Sequence, residues 1–203
     1  MAKNKFQFIT ILACVFLFFA CSVDHPVSPD TLRIQLRGNP ENLNPVISAD
    51  GFAFEVYQYI FDSLIERNLD TLEFEPKLAT HWEVSDNNKE FTFYMRKDVK
   101  WHDGHPVTAD DVVFSLELIR DPTRSAPHLR LYYQDIDRIE KIDQYTVKFI
   151  YKKVYYKALS FCGGMTILPK HLLKDVKDLY QAPYSRAPIG NGAYTFKSWE
   201  PSK

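Results

Sequence analysis

Trp101-His102-Asp103-Gly104-His105 sets two imidazoles and a carboxylate side by side, the kind of donor set a zinc ion takes. The spacing speaks against a zinc hydrolase. His102 and His105 straddle an Asp-Gly turn, where a hydrolase wants two histidines one helical turn apart with a catalytic glutamate, and no third ligand is evident nearby in the sequence. A hairpin turn accounts for the same residues, and no metal site is expected. Ser160-Phe161-Cys162-Gly163-Gly164 puts a nucleophile beside glycines, but no base is placed for it. The glycines read as a bend after a strand, and Cys162 as a small buried hydrophobe. Lys170, His171, Lys174 and Lys177 read as a solvated helix face. With no catalytic constellation, the chain is expected to be a non-enzyme without a cofactor.

The elements around these residues are legible from their periodicity. Phe91, Phe93 and Met95 alternate with Thr92, Tyr94 and Arg96 as in a half-buried strand, and the turn cluster SDNNK before it predicts a hairpin. Asp103-Gly104 predicts a second tight turn, stiffened at its exit by Pro106. Thr108 is the expected cap of a helix with Asp110 and Asp111 in its first turn and Val112, Val113, Leu116 and Ile119 on its apolar face. Upstream, Leu32, Ile34 and Leu36 alternate with Arg33, Gln35 and Arg37, which predicts a first strand stopped by Gly38-Asn39-Pro40. A loop through Asp50-Gly51 then leads into a helix with Val56, Tyr59, Ile60, Leu64 and Ile65 on one face. Downstream, Ile136 to Ile142 and Tyr145 to Tyr151 read as two strands joined at Asp143-Gln144. Leu168-Pro169 opens a short helix through His171, Leu172, Leu173 and Val176, and Tyr194 to Phe196 makes a closing strand. There is no internal repeat or low-complexity tract.

The N-terminus carries an export address. Lys3 and Lys5 precede an apolar run from Phe8 to Ala20, which reads as a signal peptide. Thirteen residues span only about 20 Å of helix, short of a ~30 Å hydrocarbon core. Cys21 after Ala20 is the expected lipidation site, with Cys14 a rival that leaves too short an apolar region, and residues 22–29 would then be a flexible tether. The 203-residue chain has a net charge of −1, with 25% charged and 45% hydrophobic residues, which excludes a disordered chain and a polyanion binder, so no nucleic-acid partner is expected. Aromatics reach 15% and suit broad β surfaces or a lined cleft. If Cys14 leaves with the signal and Cys21 is modified, Cys162 is left without a disulfide partner.

Three blocks resemble the family 5 extracellular solute-binding proteins, the dipeptide, oligopeptide and nickel receptors of ABC importers. The first is Asn42-Leu43-Asn44-Pro45 followed by a helix ending in FDSLIER. The second runs from Pro76 to Ser115, PKLATHWEVSD through FTFYMRKDVKWHDGHPVTADDVVFS. The third is Asn191-Gly192-Ala193-Tyr194-Thr195-Phe196-Lys197-Ser198-Trp199. The resemblance implies an α/β fold of mixed α+β character, a periplasmic-binding-protein-like lobe with a smaller α+β domain inserted. Residues 1–20 are then the signal peptide and 21–30 a lipidated tether. Residues 31–49 and 158–203 form the principal α/β domain, and 50–157 the inserted domain. Family members are more than twice this long, so the chain is expected to be truncated before the second lobe. As half a clamp with an open sheet edge, it is expected to be poorly soluble and to bind peptide weakly.

The resemblance further implies capture of a peptide or other small solute between two lobes and delivery to the permease subunits of an ABC importer, by a receptor held in the periplasm or at the cell surface through lipid on Cys21. The implied ligand-binding residues are the loop Ser48, Ala49, Asp50, Gly51 and Phe52, with Gly51 allowing close backbone approach and Asp50 meeting a cation or merely capping the helix. Tyr132 and Tyr133 are further candidates for cleft walls. A stand-alone surface module acting as sensor or adhesin, and a receptor for nickel or another solute, are the alternatives.

Overall fold

A computed structural model describes residues 30–124 and 126–200, so the signal peptide and Cys21 lie outside the described residues. Residues 34–200 belong to one body, whereas 30–33 belong to a separate unit. The elements run in the order α1 (Gly51–Ile60), β1 (Ile65–Arg67), β2 (Phe74–Pro76), β3 (Ala79–Val84), β4 (Glu90–Met95), α2 (Ala109–Arg120), α3 (Pro127–Tyr133), β5 (Ile136–Asp143), β6 (Thr146–Tyr151), α4 (Ala158–Gly163) and α5 (Lys170–Leu173), then a 3₁₀ turn at Pro183–Ser185. The fold is a mixed α/β one.

Its centre is a four-stranded antiparallel sheet ordered β3-β4-β6-β5. The predicted alternation in β4 is realised: Phe91, Phe93 and Met95 are buried while their neighbours are half-buried. On β6, Val147, Phe149 and Tyr151 turn to the same side, and Phe93 meets Phe149 edge-to-face at 5.8 Å. Against this layer α2 presents Val112, Leu116 and Ile119, all buried. The Asp111 carboxylate reaches back to the Thr108 N–H at 2.9 Å, the acidic half of a capping box. Gly104, at φ +92°, makes the tight turn after Asp103, closed by Trp101 N–H to His105 C=O at 2.7 Å. A separate two-stranded sheet pairs β1 with β2.

Several expectations are corrected. Residues 32–36 form no strand; Leu32 and Ile34 are exposed, and no strand among the described residues offers them a ladder. Helix α1 stops at Ile60, so Leu64 and Ile65 leave its face, Ile65 opens β1, and the buried helix positions are Ala53, Tyr57 and Ile60. The Ser160–Gly164 glycines do not follow a strand. They close α4, where Gly164 N–H reaches Ser160 C=O at 3.0 Å. Val176 lies beyond α5, which has a single turn. Tyr194 to Phe196 is no strand either; Tyr194 N–H instead donates to Tyr59 C=O at 2.9 Å, at the end of α1.

Candidate functional site

Helix α1 is anchored at both ends. At its start the Asp50 carboxylate accepts from Ala53 N–H (2.7 Å) with Oδ1, and from Glu41 N–H (3.1 Å) and the Ser48 hydroxyl (3.0 Å) with Oδ2. Burial alone would raise the Asp50 carboxyl, but these hydrogen bonds outweigh it and hold the group below its ordinary value. At its end, Asn191 and Gly192 N–H groups both donate to Ile60 C=O (3.1 and 2.8 Å), and Asn191 Oδ1 accepts from Asp62 N–H at 2.9 Å. The chain passes so close that a Cβ on Gly190 would sit 2.0 Å from the Ile60 oxygen.

His102 locks the same segment from the other side. Its Nδ1 accepts from Gly190 N–H (3.3 Å) and its Nε2–H donates to Gly192 C=O (2.9 Å), a pattern that only one neutral tautomer satisfies. Further upstream, Asn44 Nδ2 donates to Ser185 Oγ at 3.3 Å and Leu43 N–H to Ser185 C=O at 2.7 Å. The second and third sequence blocks are thus bound to each other and to the end of α1, and the first is fastened to Ser185, just upstream of the third.

Beside α1 lies an open groove of about 760 Å³. Its floor is the loop at Ser48, Ala49, Asp50 and Gly51 together with Tyr57; β1 adds Glu66 and Arg67; α3 adds His128, Tyr132 and Tyr133; and α4 with its exit adds Ser160, Phe161 and Thr166. Of the residues expected from the sequence, Ser48, Ala49, Asp50, Gly51, Tyr132 and Tyr133 share this groove. Phe52 does not line it and packs its ring towards Gly38 instead. A Cβ on Gly51 would meet nothing within 4 Å, so the backbone there is bare to the groove.

Phe161 organises the aromatic wall, stacking with Tyr132 at 5.2 Å and meeting Tyr133 edge-on at 6.2 Å. Tyr132 is half exposed, whereas Tyr133 is buried and its hydroxyl is held neutral by that burial. Charges of both signs reach the groove. Asp50 and Glu66 are acidic, while Arg67 is steadied by donation to Leu72 C=O (2.7 Å) and by its position 4.4 Å over the Phe74 ring.

Tyr57 was not among the residues the sequence singles out. Its hydroxyl is buried without a hydrogen-bond partner, and burial pushes its titration up, so it stays a neutral donor. Neighbouring Ser48 donates its proton to Asp50 and keeps its lone pairs, a weak attraction for the Tyr57 hydroxyl that falls outside hydrogen-bond geometry. The signal available in the sequence was the i, i+4, i+7 spacing Ala53, Tyr57, Ile60 on α1. Cys162 is fully buried with its thiol pushed up by burial, as a packing residue.

Residues 73–203, more than half of the chain, match the family described as "Bacterial extracellular solute-binding proteins, family 5 Middle". The chain is 32% identical to the dipeptide-binding protein of Escherichia coli over 150 residues, covering 64% of this chain and 28% of that protein. It is 30% identical to the oligopeptide-binding protein AppA of Bacillus subtilis over 193 residues, 88% of this chain and 33% of AppA. Among solved structures, NikZ from Campylobacter jejuni in complex with Ni(L-His) superposes with a TM-score of 0.74 at 30% identity, covering 86% of this chain and 34% of NikZ. The chain therefore spans about a third of the length of these relatives.

Proposed function

This chain belongs to the family 5 bacterial extracellular solute-binding proteins, and on that footing we propose that it supplies one wall of the ligand cleft of an importer receptor whose ligand is a short peptide. It acts by binding rather than by chemistry. The observation that carries the peptide reading is the groove. It joins bare backbone at Gly51, acidic groups at Asp50 and Glu66, a cation at Arg67 and an aromatic wall at Tyr132 and Phe161. A zwitterionic peptide brings an ammonium, a carboxylate, backbone donors and acceptors, and apolar side chains, so each of its groups meets a complement. The buried Tyr57 hydroxyl gains a partner when a ligand carbonyl reaches it.

On this reading the loop Ser48–Gly51 approaches the ligand backbone, with Asp50 both fixing the loop and carrying its charge. A second lobe closes over the peptide, permease subunits receive it, and lipid on Cys21 holds the receptor to a membrane in the periplasm or at the cell surface. Residues 31–49 and 158–203 serve as the principal domain and 50–157 as the insertion.

NMR titration of the isotope-labelled chain with millimolar tri-alanine tests the proposal, since half a cleft binds weakly. Shifts are expected at Ser48–Gly51, Tyr57 and Tyr132. Saturating shifts confined to other surfaces, or none for tri-alanine beside clear shifts for Ni²⁺–histidine, overturn the peptide reading.

A further inference from the structure

The hairpin that the sequence suggests as a metal site, and whose spacing argues against one, gains a partner in the fold. His102 is committed to Gly190 and Gly192. Asp103 and His105 instead face His171, which arrives from α5. His105 Nδ1 lies 3.2 Å from Asp103 Oδ1, and His171 Nε2 lies 2.7 Å from Asp103 Oδ2. The two imidazoles stack with centroids 4.1 Å apart, and one ligating atom from each of the three residues falls within 4.8 Å of the others. We propose that Asp103, His105 and His171 bind one borderline divalent metal ion of the zinc or nickel class, at a site separate from the groove.

The donor chemistry selects the ion. Two imidazoles and one carboxylate favour zinc, nickel or copper over magnesium and calcium, which want all-oxygen shells. Metal–ligand bonds of about 2.0–2.2 Å place tetrahedral ligands roughly 3.4 Å apart. The two histidine–carboxylate separations, 2.7 and 3.2 Å, fall somewhat short of that value, and His105, 60% exposed at its side chain, has solvent on one side into which to adjust.

The frame is already built. The hairpin is closed by the Lys100–Pro106 bridge, and the start of α5 is pinned by donation from Lys170 N–H to Asp111 Oδ1 at 3.0 Å. The three side chains leave the remaining coordination positions to water, so the site is an exchangeable one that staples the hairpin to α5.

Calorimetric titration of the tag-free, chelator-stripped chain with Zn²⁺ tests this. One equivalent is expected to bind with micromolar affinity and to raise the Tm, while Mg²⁺ does neither. Loss of a supporting residue around a metal weakens binding by ~10- to 100-fold, so losing a ligand in His105→Ala or Asp103→Asn is expected to weaken it by at least that much. His81→Ala, an exposed histidine on β3, is expected to leave the titration unchanged. His105 is largely exposed, so its variant folds even if His171→Ala does not. Absence of saturable Zn²⁺ binding, or affinity unchanged in both His105→Ala and Asp103→Asn, overturns the proposal.

Discussion

Removing one oxygen from the groove, by Tyr57→Phe, separates what the fold needs from what a ligand needs. The hydroxyl is buried without a partner while the ring is held edge-on against Phe61 at 6.1 Å. The ring therefore stays in place when the oxygen goes. A buried, unsatisfied hydroxyl costs about 1–3 kcal/mol, and the lower end applies at the edge of an open groove. The variant is expected to gain about 1 kcal/mol, raising the Tm by roughly 2–4 °C for a chain of this size. Ligand binding moves the opposite way. Loss of one neutral hydrogen bond, ~0.5–1.5 kcal/mol, weakens affinity by about 2- to 13-fold. Tyr184→Phe is the internal control, because the Tyr184 hydroxyl donates to Ile189 C=O at 3.1 Å and its loss strands that acceptor. Thermal melts followed by circular dichroism, together with the tri-alanine titration, read both quantities. If Tyr57→Phe melts lower than the parent, the hydroxyl is satisfied in the folded chain and the reasoning fails. If it melts higher but binds equally well, the hydroxyl does not face the ligand.

Two glycines are expected to respond in contrasting ways to alanine. Gly190→Ala drives a Cβ to 2.0 Å from the Ile60 oxygen and is expected to cost at least ~1–3 kcal/mol in urea unfolding, whereas Gly51→Ala, with open space around it, leaves stability unchanged but weakens tri-alanine binding. Ser115→Ala removes a buried hydroxyl that accepts from Leu168 N–H at 2.8 Å and donates to Asp111 C=O at 2.6 Å. The stranded donor is expected to cost about 1–3 kcal/mol, and an unchanged urea midpoint would contradict this. Asp62 is raised above its ordinary value because burial outweighs the nearby Lys77. Its contribution to stability is complete below the ordinary carboxylate pKa and is lost as pH rises through the folded value. Asp62→Asn is accordingly expected to raise the Tm at pH 7 and to change it little at pH 3, and equal shifts at both would refute the assignment.

What could be read from the sequence was what short-range geometry decides. The β3–β4 and β5–β6 hairpins, the Asp-Gly turn and the Thr108 cap each rest on contacts within a few residues, where turn chemistry and alternation act directly. The misread strands, Leu32 to Leu36 and Tyr194 to Phe196, had the right alternation, but a strand also needs a neighbour that alternation cannot supply. The helix through Ile65 failed for a different reason. Its apolar spacing continues past Ile60, but Asn191 and Gly192 intercept the Ile60 carbonyl and the chain turns into β1. The groove was partly legible, through Ser48–Gly51 and the Tyr132-Tyr133 pair. Tyr57, Ser160 and Thr166 join it only through tertiary packing, and His171 reaches Asp103 across 68 positions.

The residues that make the family recognisable turn out to hold the scaffold. Asn44 fastens to Ser185, His102 to Gly190 and Gly192, and Asn191 to Asp62, so residues of these blocks tie distant parts of the chain together and hold the end of α1. Asp50 fixes the other end of that helix. A helix of ten residues is marginal on its own, so its position is set by these two anchors. The groove takes its floor from the loop before α1 and from Tyr57 upon it. The aromatic wall on α3 and α4 is tied to α1 by none of these bonds. Side chains there can be exchanged without loosening the anchors, whereas Gly190, Asn191 and Gly192 at the far end of α1 cannot. On that division of labour, variants at Tyr132 and His128, which line the groove, are expected to alter tri-alanine binding before they alter the urea midpoint.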